Sequence, residues 1–136
     1  MSGQTSVYVA APFERYREAR NAAAKLEGHG VRCSSRWIKE ADRKLGVDGF
    51  TAQEAEIQIA MNDRDVRDSD AVIAIVFERG GREMFAEARY AVTMGIPVFW
   101  VLPPGLQGPM SMYRRGTFVC PTVDAAVGEV LGRFTR

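Results

Sequence analysis

Apolar residues in this chain form two kinds of run, one short and continuous, the other spaced. Continuous runs occupy residues 6–10 (SVYVA), 71–77 (AVIAIVF) and 98–102 (VFWVL), with weaker ones at 31–35 and 117–120. Runs of this length, bounded by Gly, Pro and Asp, predict strands, and a near-continuous apolar one predicts a strand covered on both faces. The spaced kind predicts helices. Tyr16, Ala19, Ala22, Ala23 and Leu26 recur at helical intervals until Gly28 and Gly30 end them. Ala52, Ala55, Ile59, Asn62 and Val66 mark one face of a second, longer helix. Its start is a capping box, Thr51-Ala52-Gln53-Glu54, in which hydroxyl and carboxylate satisfy each other's orphan backbone donors. A third helix follows the turn at 78–82, runs to about Met94, and is broken by Gly95-Ile96-Pro97. Thr122 caps a closing helix. Residues 38–50 are polar and without a period, and residues 103–109 are rich in Pro and Gly, so both predict loops.

Strands alternating with helices predict an α/β fold: a single-domain, Rossmann-like three-layer sandwich over residues 1–136, with a parallel sheet of about five strands. Neither an internal repeat nor a linker interrupts it. In open sheets of this kind the ligand lies beyond the carboxyl ends of the strands, where the strand order reverses. That rule directs attention to residues 10–15, 34–37, 77–87 and 101–112.

Composition narrows the class. A length of 136 residues suits one core, and 46% hydrophobic with 26% charged residues is a globular balance, which argues against disorder. The net charge of +1, from 18 basic and 17 acidic residues, provides no electrostatic footprint for a polymeric nucleic acid. No apolar run reaches the length of a membrane span, and the first six residues lack a signal-peptide pattern, so a cytoplasmic location is expected. Cys33 and Cys120 fall in predicted strands and read as reduced structural thiols. With His29 the lone histidine, no metal site is expected, and no cofactor motif is present.

Within 77–87, one residue stands out chemically. Met84, Ala88, Ala91 and Gly95 share the sheet-facing side of the third helix, and Glu87 lies at the edge of that side, near the helix start. There the helix dipole favours the ionised carboxylate, the form needed to attack an anomeric carbon. A solvated helix glutamate is the alternative reading. Glu83, one turn earlier, is the rival nucleophile should the helix begin later.

Several motifs together make the chain resemble the nucleoside 2-deoxyribosyltransferase family over nearly its whole length. Val7-Tyr8-Val9-Ala10-Ala11-Pro12-Phe13 resembles the family's first strand and substrate loop. Ser35-Arg36-Trp37 is similar to short bacterial members, and residues 65–70 resemble the approach to the family's third strand. Most specific is Glu87-Ala88-Arg89-Tyr90-Ala91 with Gly95-Ile96-Pro97-Val98, which resembles a Glu-x-Gly-x-Ala pattern followed by Gly-x-Pro-Val. The resemblance implies that Glu87 is the nucleophile of a double displacement on C1′ of a nucleoside or nucleotide. It implies that Tyr8 orients Glu87, that residues 10–13 meet the substrate, and that the protein is a homo-oligomer. For Tyr8 a plain core tyrosine is the alternative.

Three positions depart from the family pattern. Ala11 and Arg89 stand where glycine is usual, and Asn62 stands where many members carry an aspartate serving the leaving base. An amide can hydrogen-bond a base but cannot protonate it, so Asp63 is the candidate proton donor. Arg79-Gly80-Gly81-Arg82, before a helix N-terminus, is either a phosphate cradle, with free amides and guanidinium groups, or a plain turn with solvated arginines. Trp37 either stacks on a base or packs in the core. The charged run 63–70 reads as mostly solvated helix face, and His29 has no role. Three activities fit: deoxyribosyl transfer between bases, hydrolysis of a nucleoside 5′-monophosphate, or nucleotide binding without catalysis.

Overall fold

The computed structural model describes residues 4–43, 50–108 and 110–134. In chain order the elements are β1 (Ser6–Ala10), α1 (Tyr16–Gly28), β2 (Arg32–Cys33), α2 (Trp37–Arg43) and α3 (Ala52–Arg67). They continue with β3 (Ala71–Ile75), α4 (Arg82–Thr93), β4 (Val98–Val101), β5 (Thr117–Cys120) and α5 (Val123–Phe134). Short 3-10 turns lie at Phe13–Arg15 and Met110–Tyr113. All pairings are parallel, in the order β2-β1-β3-β4-β5. Helices α1 and α5 pack together on one face of this sheet, and α3 and α4 on the other. The predicted three-layer α/β fold with five parallel strands is the one observed.

Every residue of β1 and β3 is buried, as the continuous apolar runs required. Alternate residues of β4 serve opposite layers. Phe99 stacks on Phe118 with ring centroids 4.9 Å apart, and the Arg133 guanidinium of α5 lies over the Phe118 ring. Trp100 turns the other way and meets Phe85 of α4 at 5.5 Å. The Thr51 capping box forms as the sequence predicted, with hydrogen bonds in both directions between Thr51 and Glu54. Thr122 likewise caps α5 by accepting from the Ala125 amide.

Two predicted boundaries are corrected at the β2 edge. The strand expected over 31–35 pairs only at Arg32 and Cys33. Beyond it, Ser35 replaces backbone pairing with its side chain: its Oγ accepts from Val9 N at 2.6 Å and donates to Val9 O at 3.0 Å. Trp37 Nε1 donates to the same carbonyl at 2.9 Å. These bonds release the chain from the sheet, so part of the predicted loop 38–50 is the helix α2; residues 44–49 lie outside the described residues.

The charged run 63–70 is not simply a solvated face. Asp65 is buried and holds Arg36 through contacts of 2.7–3.1 Å from its guanidinium, as well as accepting from the Arg36 amide. Asp70 accepts from Ser6 N at 2.9 Å, tying the start of β1 to the start of β3. The stripe from Ala52 to Val66 is likewise only partly a core face. Val66 is fully buried, whereas Ile59 is 49% exposed and lines a cavity together with Ala55, Gln58 and Asn62.

Asp65 ties α3 to the turn after β2, and a neutral amide there loses the charge-assisted bonds to Arg36. Asp65→Asn is expected to lower the thermal unfolding midpoint by roughly 3–6 °C. The exposed neighbour substitution Asp68→Asn is expected to leave it nearly unchanged. Differential scanning calorimetry of both variants checks this, and equal midpoints would remove the assigned structural role of Asp65.

Candidate active site

Strand order reverses at β1, since β2 lies on one side of it and β3 on the other. A cavity of about 730 Å³ opens beside the carboxyl end of β1, within the size range of small-molecule sites. Its walls come from the turn after β1 (Ala11, Pro12, Phe13, Glu14), from Trp37 and Phe50, from Ala55, Gln58, Ile59 and Asn62 of α3, and from the start of α4. One side is aromatic: the Phe13 ring lies 5.2 Å from Phe50, edge to face, and 6.1 Å from Trp37.

Glu87 forms part of the wall and is only 9% exposed. Asn62 Nδ2 donates to its Oε2 at 3.0 Å. Gln58 Nε2 in turn donates to Asn62 Oδ1 at 2.7 Å, from one helical turn earlier. The Tyr8 hydroxyl lies buried beside Glu87 without completing a hydrogen bond of good geometry, yet each group alters the other's proton affinity. Tyr8 is held well above the ordinary phenol value by burial, and the Glu87 charge adds to this.

Burial pushes the Glu87 carboxyl from its ordinary 4.5 up to about 7. The Tyr8 and Asn62 donors pull downward, while the charges of Glu83 and Asp63 push further up. This corrects the expectation that the helix dipole holds Glu87 ionised. Glu87 sits in the second turn of α4, beyond the amides where the dipole acts most strongly, and desolvation outweighs it.

The other residues singled out from the sequence separate clearly. Ala11, Pro12, Phe13, Trp37, Asn62, Gly80, Gly81 and Arg82 all line the cavity. Ala10 does not: it pairs with Ala74 inside the sheet and is completely buried. Asp63 is half-buried and its charge reaches Glu87, but it does not line the cavity. Glu83 lines the mouth as an exposed residue, unlike the enclosed Glu87. Asn62 lines the cavity with its amide engaged at both ends, the N–H₂ by Glu87 and the oxygen by Gln58. Trp37 presents its ring to the cavity while its N–H is spent on Val9.

Gly80 and Gly81 have φ of +81° and +94°, a region that side chains disfavour. A Cβ at Gly80 would stand 2.7 Å from Glu14 Oε1, so a carboxylate already lies against this turn. Gln58, Phe50 and Glu14 escaped the sequence reading. A signal for Gln58 was present in its spacing of four from Asn62. Phe50, the residue before the Thr51 cap, sits where a helix entry is set.

A scan against protein-family models finds no match, and a search of curated proteins finds none either. Solved structures are informative. The chain superposes on a CMP N-glycosidase of Clostridium botulinum, BcmB, with TM-score 0.60 and 12% identity, covering 93% of this chain and 97% of that one. It superposes on a 2-desoxiribosyltransferase of Leishmania mexicana with TM-score 0.61 and 16% identity, covering 96% and 99%. The solution structure of BlsM matches with TM-score 0.67 and 18% identity, covering 100% and 97%. The chain shares its α/β three-layer fold with these structures. At such identities the likeness is one of fold, and what the cavity does rests on its own geometry.

A carboxyl raised above its unfolded value stabilises the fold relative to its ionised form below about pH 4.5, and that contribution is lost as pH rises through 7. Glu87→Gln removes the titration. The variant is therefore expected to gain stability over the parent progressively between pH 4.5 and 8, by up to about 3 kcal/mol. Urea unfolding of both proteins across that range checks it; a difference independent of pH would contradict the raised carboxyl.

Proposed function

We propose that this chain is an enzyme that cleaves the N-glycosidic bond of a nucleoside or nucleotide, with Glu87 as the nucleophile. The observation that carries the reading is a single carboxylate, sequestered from water in the cavity wall and held by an amide donor with a tyrosine beside it. An Oε atom of Glu87 attacks C1′, the C1′–N bond breaks, and its electron pair leaves with the base, which takes up a proton. A second base or water then attacks C1′ and releases the carboxylate, as in retaining glycosidases. The aromatic side of the cavity suits a flat base, since ring faces stack favourably.

The fold relatives named as an N-glycosidase and a 2-desoxiribosyltransferase support this class of chemistry. Transfer of 2-deoxyribose to another base is the preferred form. The cavity is poorly suited to a 5′-phosphate: Arg82 is its one cationic lining residue among those described, and Glu14, Glu83 and Glu87 oppose it. Glu14 also places its carboxylate against Gly80, where an anion would approach the α4 amides. Hydrolysis of a nucleoside 5′-monophosphate is the second reading, favoured by Arg82 and by the likeness to a CMP N-glycosidase. A panel of deoxynucleosides and monophosphates, each with and without a second base, separates the two by exchanged product or free base.

Glu87→Gln is expected to reduce turnover at least ~1,000-fold while the protein stays folded, whereas Glu83→Gln retains most of its rate. A 2-fluoro-2-deoxy-arabinosyl nucleoside is expected to leave a sugar adduct that peptide mapping assigns to Glu87. Cleavage without any adduct would replace covalent catalysis with direct attack by water.

Asp63 is the proposed source of the leaving base's proton, a role it would fill through water or a small movement, since it stands behind the wall. General-acid help is worth ~100- to 10,000-fold on poor leaving groups and little on activated ones. Asp63→Asn is thus expected to slow a natural nucleoside much more than an activated analogue. Equal effects on both substrates would move the proton donor elsewhere, with Glu83→Gln the next variant to compare.

A further inference from the structure

An amide side chain can offer either its N–H₂ or its carbonyl oxygen to a neighbour, and the two choices act oppositely on a carboxyl group. An N–H favours the carboxylate; a carbonyl oxygen favours the protonated acid. Asn62 could meet Glu87 either way. The bond from Gln58 Nε2 to Asn62 Oδ1, at 2.7 Å, engages the Asn62 oxygen and leaves its N–H₂ aimed at Glu87 Oε2, 3.0 Å away. We propose that Gln58 is a positioning residue: it locks the Asn62 amide with its donors toward Glu87 and so favours the ionised, nucleophilic form of the carboxylate. The functional part of this statement rests on the reading of Glu87 as nucleophile.

The surroundings make the lock consequential. Glu87 is faced by Tyr8 from β1, by Asp63 and Asn62 from α3, and by Glu83 from its own helix. Strands β3 and β4 contribute no titratable side chain to this region. The Tyr8 and Asn62 donors act against its burial and against the negative charges of Glu83 and Asp63, while Arg82 lines the same cavity. Donation to Asn62 Oδ1 also polarises that amide and strengthens its N–H toward Glu87. Gln58 is well placed to act in this way because residues four apart on a helix meet side by side.

The test is a titration of Glu87 itself, read from the carboxyl ¹³C resonance of glutamate-labelled full-length protein and assigned by its loss in Glu87→Gln. Four proteins are compared: the parent, Gln58→Met, Asn62→Ala and the double variant. Methionine keeps length and neutrality and removes the donor. Gln58→Met is expected to raise the Glu87 midpoint by roughly 0.5 to 1 pH unit. Asn62→Ala is expected to raise it at least as much, and adding Gln58→Met to Asn62→Ala is expected to change nothing further. An unchanged midpoint in Gln58→Met, or shifts that simply add in the double variant, would overturn the relay. Where nucleoside cleavage is observed, the acid limb of kcat/KM for Gln58→Met should move by the same amount, with the rate recovered at high pH. A shifted titration in a protein that cleaves no nucleoside would keep the relay and discard the enzymatic reading. Loss of rate at every pH without a shifted titration would make Gln58 a substrate contact instead.

Discussion

Burial of β1 and β3 on both faces is the constraint from which the rest of the structure follows. Two adjacent strands without solvent on either side leave polar groups at their ends to be satisfied by side chains, since unpaired buried groups are costly. Ser35 and Trp37 meet Val9, Asp70 meets Ser6, and Asp65 gathers Arg36 at the neighbouring turn. These bonds end β2 early, start α2, and fix where α3 passes over the sheet. Ala55, Gln58, Ile59 and Asn62 of α3 face a cavity, while Val66 near its end is in the core.

The same burial sets the chemistry of Glu87. A carboxylate in the open would ionise well below neutrality; here desolvation brings its proton affinity to about 7, so small dipolar effects decide its state near neutral pH. Two features of the wall act in opposite directions. Nearby acidic side chains oppose ionisation, while the Asn62 donor and the Tyr8 hydroxyl favour it. The Asn62 substitution, which from the family pattern looked like a lost proton donor, has a different physical meaning once its partner is seen. Its amide donates to Glu87, the proposed nucleophile.

Relatives with this fold include proteins named for N-glycosidase and deoxyribosyl transfer activities, and their sequences differ from this one at more than four positions in five. What such divergence leaves in common is the fold; in this chain a cleft opens where the strand order reverses, as the connectivity of an open parallel sheet dictates. Lining chemistry is free to vary. In this chain the walls are aromatic on one side and acidic near the α4 turn, with Glu14 against Gly80.

Periodicity and run length alone determined the layer architecture, the five strands and the long helices. They suffice because burial on both faces leaves a continuous apolar run, and a helix lying on a sheet leaves a 3.6-residue stripe. The capping box at Thr51 was readable for the same reason: it is a local pattern with a local cause. Glu87 was singled out by its helix position and by the family motif around it. Its protonation could not be read in this way, since desolvation depends on the residues that close over it. Helix α2 was missed because its start is set by Ser35 and Trp37 bonding across to Val9, a contact between residues 26 and 28 positions apart. Asp65 and Asp68 look alike in the sequence, but only Asp65 is turned inward toward Arg36. Tertiary structure alone decided which polar residues face one another, and that decision created the Gln58–Asn62–Glu87 chain.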